Sequence, residues 1–145
     1  MGTTRVYDVN RVSLTFKGIP IEEFADGDAM VAEYDEDDFV VAQGSHGSVL
    51  RAVKHNNVVT LTVRLMQGSP SNAYLSQQSK VDRLTGGGIG SLMMKDLLGQ
   101  DLLSGPFAWV MKPAAMGMAT EPGEREWVFQ VSNAEMDHGA NTVPV

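Results

Sequence analysis

The stretch VVTLTVRLMQ, residues 58–67, constrains this chain more than any other. Val59, Leu61, Val63 and Leu65 alternate with Thr60, Thr62 and Arg64. Successive side chains of an extended strand point to opposite faces, so a period of two sets one face on a core and the other toward solvent. The same alternation, in shorter form, sets Val12, Leu14 and Phe16 against Ser13, Thr15 and Lys17. Residues 19–21 follow Gly18, and Pro20 marks an edge because its nitrogen has no hydrogen to give a ladder. Further strands are expected over 30–34, 39–43, 49–53, 89–94, 107–111 and 127–131, each bounded by turn-forming residues.

One segment departs from this pattern. Ser69 suits a helix N-cap and Pro70 the first helical position, Ser71 and Asn72 have side chains that bond to nearby backbone, and the glycines from Gly86 supply a stop. Between them Tyr74, Gln78, Val81 and Leu84, or else Tyr74, Gln77 and Val81, recur at helical spacing, so residues 70–84 read as a helix of about 22 Å at 1.5 Å per residue. Many strands and one helix give a mainly β fold: two packed antiparallel sheets, as a sandwich or barrel, with one flanking helix. A chain of 145 residues builds one domain, here 1–145, with an N-terminal arm over about 1–10 and a polar C-terminal tail over about 137–145.

Composition excludes several classes of function. A net charge of −7 with eleven scattered Lys and Arg argues against a surface that grips nucleic acid, which needs clustered cations. There is no cysteine, so disulfides, thiolate nucleophiles and Cys-bound zinc are out. No apolar run approaches the roughly 20 residues of a membrane span, and residues 1–10 read neither as a signal peptide nor as a myristoylation site.

Half of the eighteen acids fall between Glu22 and Asp38, ending in the run Asp35, Glu36, Asp37 and Asp38. A calcium loop is one reading, but it needs glycine at its sixth position and glutamate at its twelfth, and counting from Asp35 those places hold Val40 and His46. The run is read instead as the charged tip of a hairpin between strands 30–34 and 39–43. Ser45 and His46 are adjacent, and neighbouring residues generally point apart, so they do not form a catalytic pair. His55 and His138 have no partner at ligand spacing. The glycines of TGGGIGS follow a helix instead of opening one and lack the lysine of a phosphate loop, so they read as a helix stop. No catalytic residue, metal site or cofactor is expected.

Several pieces, taken in order, carry a resemblance: Ser69-Pro70-Ser71-Asn72 with Leu75 behind a Thr/Leu strand, then Lys95-Asp96, Ala108-Trp109 with Lys112-Pro113, and Arg125-Glu126-Trp127. Together they make the chain resemble the small tail tube proteins of bacteriophages with contractile tails, over nearly its whole length. The resemblance implies a structural virion protein without catalysis, made in the host cytoplasm, whose copies close into hexameric rings that stack into a hollow tube. Its implied partners are itself, the tail sheath, the baseplate and tail terminator proteins, and the tape measure protein and DNA in the lumen. By position it implies contacts between rings from residues 35–48, hence from Asp35, Glu36, Asp37, Asp38, Ser45, His46 and Ser48, with Arg51 and Lys54 as basic partners for acids of the next subunit. Ser69, Pro70, Ser71 and Asn72 would cap the helix or touch a neighbour. A tube from a phage-derived bacteriocin or a type VI-like secretion machine, and a small β-barrel metal-binding module, are the alternatives.

Overall fold

A computed structural model describes residues 12–26, 29–54, 57–96 and 101–138. The expected N-terminal arm, the end of the tail beyond His138, and His55 lie outside the described residues. Among the described residues ten strands and one helix follow in the order β1 (Val12–Phe16), β2 (Ile19–Pro20), β3 (Met30–Tyr34), β4 (Phe39–Gln43), β5 (Val49–Val53), β6 (Val59–Met66), α1 (Ser71–Thr85), β7 (Gly90–Asp96), β8 (Asp101–Lys112), β9 (Glu124–Ser132) and β10 (Glu135–His138). Every pairing is antiparallel. Two sheets result: an eight-stranded one in the order β2-β1-β7-β8-β9-β6-β3 with β10 also paired to β8, and the separate ribbon β4-β5. The fold is mainly β and sandwich-like, with one flanking helix and a protruding hairpin.

The large sheet makes a sandwich by bending over itself. Strands β1 and β9 stand three places apart, which in a flat sheet would be about 14 Å at the usual strand spacing. Yet the rings of Phe16 and Phe129 meet edge to face with centroids 5.3 Å apart. The bend lies in β8, whose first half pairs with β10 and whose second half pairs with β9, leaving Gly105 and Pro106 between the two registers. On the other edge the β7 register slips by one residue at the same place. Pro106 therefore forfeits no ladder bond, and a bulge is where a strand turns most sharply. Gly105 is required: a β-carbon there would stand 2.2 Å from Val131 Cγ1.

The ladder does not close into a barrel, but residues 21–25 link β1, near one end, to β6, near the other. Ile21 N donates to Leu14 O in β1 at 2.8 Å, while Ala25 N donates to Arg64 O in β6 at 3.0 Å. Inside lie Leu14, Phe16, Leu61, Leu65, Leu92 and Phe129, all effectively inaccessible to water.

Three expectations are corrected. The strand expected at 107–111 is twelve residues long, Asp101–Lys112, because the bulge carries it through the Gly-Pro step. The polar tail expected from about 137 begins later, since Glu135–His138 pairs with Ser104 to Asp101 of β8. The buried stripe of α1 is Ser71, Leu75 and Ser79, not the Tyr74, Gln78, Val81 and Leu84 face. Tyr74 and Gln78 hold the flank of that stripe: the Tyr74 hydroxyl donates to Phe16 O at 2.9 Å, and Lys17 Nζ donates to Gln78 Oε1 at 2.8 Å. Val81 and Leu84 face outward.

Candidate assembly surface

Two strands with apolar side chains on both faces leave the body together. In β4 and β5 the register pairs Phe39 with Val53, Val40 with Ala52, Val41 with Arg51, Ala42 with Leu50 and Gln43 with Val49. Alternation then gives one face of Val40, Ala42, Leu50 and Ala52, with no polar side chain, and another of Phe39, Val41, Val49 and Val53 with Arg51 and Gln43. All ten residues are exposed, Val41 to 60% and Leu50 to 70%. Strands apolar on both faces belong between two layers. An isolated two-stranded ribbon is marginal in water, and among the described residues both faces of this one are exposed.

The tip is a three-residue loop. Gly44 N donates to Ser48 O at 2.7 Å and Gly47 N to Gly44 O at 3.2 Å, which places Ser45 and His46 at the centre of the turn. Gly47 has φ 80°, the left-handed position that follows the turn in this type of hairpin and that favours glycine.

The acids are at the root. Strand β3 pairs with β6 and β4 pairs with β5, so the run from Asp35 to Asp38 is the outgoing leg of the hairpin and not its charged tip, as expected from the sequence. Lys54 N donates to Asp38 O at 2.8 Å and the Lys54 ammonium pairs with Glu36 at 3.7 Å, tying the two legs together. Arg51 lies over the Phe39 ring, 4.4 Å from its centroid. Both cations thus have partners inside the hairpin, although these exposed contacts are weak and exchangeable. Asp37 and Asp38 face solvent. Asp35 turns back toward the sheet, accepting from Thr60 Oγ1 and, at 3.1 Å, from Gln130 Nε2. Among the described residues no group of three or more His, Cys, Asp or Glu side chains is placed to hold a metal ion.

The Ser69–Asn72 stretch is spent on the fold. Ser69 Oγ donates to Glu22 O at 2.6 Å and receives the Ser71 N–H at 3.3 Å, while Glu22 N donates to Ser71 Oγ at 2.9 Å. Asn72 Nδ2 donates to the carbonyls of Met66 and Gln67 at 2.9 and 3.2 Å, and its Oδ1 accepts from Trp127 Nε1 at 2.9 Å. The helix itself starts one residue late, with Pro70 at its cap position, so Ser69 supplies the capping oxygen from just outside it. At the far end Gly86, φ 73°, closes the helix through its N–H to Asp82 O.

Val40 and Ala42 lie within the stretch 35–48 singled out from the sequence but were not named there, and Leu50 and Ala52 lie outside it. All four were legible as the absence of alternation in FVVAQ and VLRAV, next to the strict alternation of residues 59–65. Among the described residues strand β3 also ends the ladder, so a row of its backbone groups faces outward at an edge.

No family model and no curated protein matches the chain. Solved structures do. The tube-terminating cap of the anti-feeding prophage superposes with a TM-score of 0.67 at 8% identity, covering 96% of this chain and 95% of that one. The sheath/tube terminator of an extracellular contractile injection system, PVC, in its extended state gives 0.67 at 10% identity over 94% of this chain and 99% of that one. The sheath–tube complex of the same system gives 0.62 at 11% identity over 90% of each chain. The chain therefore shares its fold with chains of terminator and sheath–tube structures from contractile injection systems.

Proposed function

We propose that this protein is a structural subunit of a contractile tail or tail-like injection particle, and that its copies close into rings which stack into the inner tube. The observation that carries the reading is the hairpin of β4 and β5, whose two apolar faces meet no counterpart surface among the described residues. Ring closure and head-to-tail stacking are heterologous contacts, in which a protruding element of one copy enters a different surface of the next. The open edge of β3 is covered in such a ring by a neighbour's strand. A net charge of −7 suits a lumen through which DNA slides without sticking. In this reading the protein performs no catalysis, and its further partners are the sheath outside, the baseplate and terminator at the ends, and the tape measure protein within.

The test is negative-stain microscopy of the purified chain across a wide concentration range. Rings and tubes of one diameter are the expected result, and a persistent monomer at every concentration overturns the reading. Charge reversal at Asp37 and Asp38 should stop tube growth and leave the body folded, since both carboxylates are exposed at the hairpin root.

A second reading has its own support: two of the superposed structures are a terminating cap and a terminator. On this second reading single rings without stacked tubes are the expected result, so the same images separate the two.

A further inference from the structure

The hairpin leaves the sheet at Asp35, and this residue is fastened more heavily than any other on the outgoing leg. Its backbone N–H donates to Val58 O at 3.0 Å, on the returning leg. Its carboxylate takes one donor on each oxygen, Thr60 Oγ1 on Oδ1 and Gln130 Nε2 on Oδ2. Those two donors are not independent neighbours. Thr60 of β6 and Gln130 of β9 are register partners directly across the ladder, so the carboxylate bridges a cross-strand pair on the outward face of the sheet. Asp35 also continues β3, whose Tyr34 still pairs with Val59. A backbone bond alone would leave the chain free to swivel about the last paired residue. Two further bonds, splayed onto separate strands, fix a direction as well as a point.

The rest of the root transmits that direction. Lys54 N binds Asp38 O and the Lys54 ammonium pairs with Glu36, joining outgoing and returning legs, and Asn57 O accepts from Ala134 N at 3.0 Å where the returning leg rejoins the body. Among the described residues 36–54, by contrast, no side chain bonds to the sandwich. We infer that Asp35 is the positioning residue that holds the hairpin at a set angle to the body, so that its apolar faces are presented to a partner already oriented. The role in assembly rests on the reading above; the angle itself does not. An element free to swing is competent to dock for only a fraction of the time, and its apparent affinity falls by that fraction. Ordering it on contact costs entropy that a fixed hairpin has already given up.

The absence of cysteine makes the angle measurable, because two introduced thiols are the only ones in the chain. Dyes on Ser45→Cys at the tip and Lys80→Cys on α1 report tip-to-body distance by single-molecule energy transfer, at picomolar concentrations where no ring forms. With Asp35 intact a single narrow distribution is expected. Asp35→Ala should broaden it about twofold, as local anchoring is lost without global unfolding. Asp35→Asn should restore most of the width, because an amide accepts from Thr60 and donates to Gln130 once that side chain flips. The pair Thr60→Val with Gln130→Ala, which leaves the hairpin sequence untouched, should reproduce Asp35→Ala. An unchanged distribution in both Asp35→Ala and the double variant overturns the inference, as does broadening in Asp35→Asn equal to that in Asp35→Ala. In parallel, the concentration at which rings first appear should rise about tenfold for unlabelled Asp35→Ala. Broadening in a protein that never forms rings leaves the pin standing and removes the assembly reading.

Discussion

Strand β6 and the hairpin of β4 and β5 draw on the same residues, valine and leucine, and put them to opposite use. In β6 the period of two sends Val59, Leu61, Val63 and Leu65 inward to complete burial while Thr60, Thr62 and Arg64 stay at the surface. In the hairpin the apolar residues occupy both faces, and neither finds a core. The monomer satisfies the first pattern and leaves the second open. Burial of a valine or leucine is worth about 1.5–3 kcal/mol, so the first set holds the body together and the second, in the proposed assembly, is a reserve of association energy. The comparison predicts that truncations in the body are felt as lost stability, and truncations in the hairpin as lost assembly.

The largest effect on stability should come from Phe129→Ala. Its ring is fully buried against Phe16, at the contact that requires the sheet to bend, and removal leaves a cavity between the two halves. A loss of about 3–5 kcal/mol is expected, read as a lower urea midpoint of the unassembled protein. A loss below about 1 kcal/mol would mean that the two halves are not packed as described.

Next comes Asn72→Ala. Three hydrogen bonds end at this side chain, and the substitution strands Trp127 Nε1 in a mostly buried site. The cost should be about 1–3 kcal/mol, with little change in ring formation after correction for stability. A large assembly defect at unchanged stability would move this residue from the cap to an interface.

Tyr74→Phe should cost about 1 kcal/mol, through the bond to Phe16 O. It also carries a pH signature. Burial holds the Tyr74 hydroxyl pKa above its ordinary value of 10.0. The folded state therefore keeps a proton that the unfolded chain releases, and the stabilisation present in full below 10.0 is lost as pH rises through the folded pKa. Denaturant melts at rising alkaline pH should show a steeper loss in the wild type than in Tyr74→Phe.

What the sequence disclosed follows the same division. Local periodicity placed β3, β4, β5 and α1 to within a residue, because each is bounded by its own turn signals. Pairing is a long-range property, and the acidic run shows the consequence. Strands 30–34 and 39–43 flank it symmetrically in sequence, which suggests one hairpin, but Met30–Tyr34 belongs to β6 and Phe39–Gln43 to β5. Nothing local distinguishes those choices. Strand β10 was hidden for a different reason: Glu135-Met136-Asp137-His138 has no apolar alternation, and its place comes from the edge that β8 offers before the bulge. The strand expected over 107–111 starts six residues earlier, because it continues through Gly105-Pro106 by way of register shifts on both of its edges. The Ser69–Asn72 stretch was legible as a cap, whereas its bonds to Glu22 and Trp127 were not, because they join residues far apart in the chain.

The smallest change in the monomer, and the sharpest test of the comparison, is Leu50→Ser. This side chain is 70% exposed on the wholly apolar face of the hairpin, so folding gains almost nothing from it. Surface substitutions of this kind shift stability by no more than about 0.5 kcal/mol, and exchange of leucine for serine in an exposed strand should fall within that range. If the same face is buried between copies, the substitution removes one of its two largest apolar groups and sets a hydroxyl in a dry contact. Ring formation should then weaken by about 2–3 kcal/mol per contact, compounded around each ring. Sedimentation velocity at matched concentrations reads the two quantities apart: an unchanged monomer boundary with the assembled species gone is the expected outcome. Loss of monomer stability with assembly intact would show the hairpin to be part of the body's own core, and the division between the two regions would not hold.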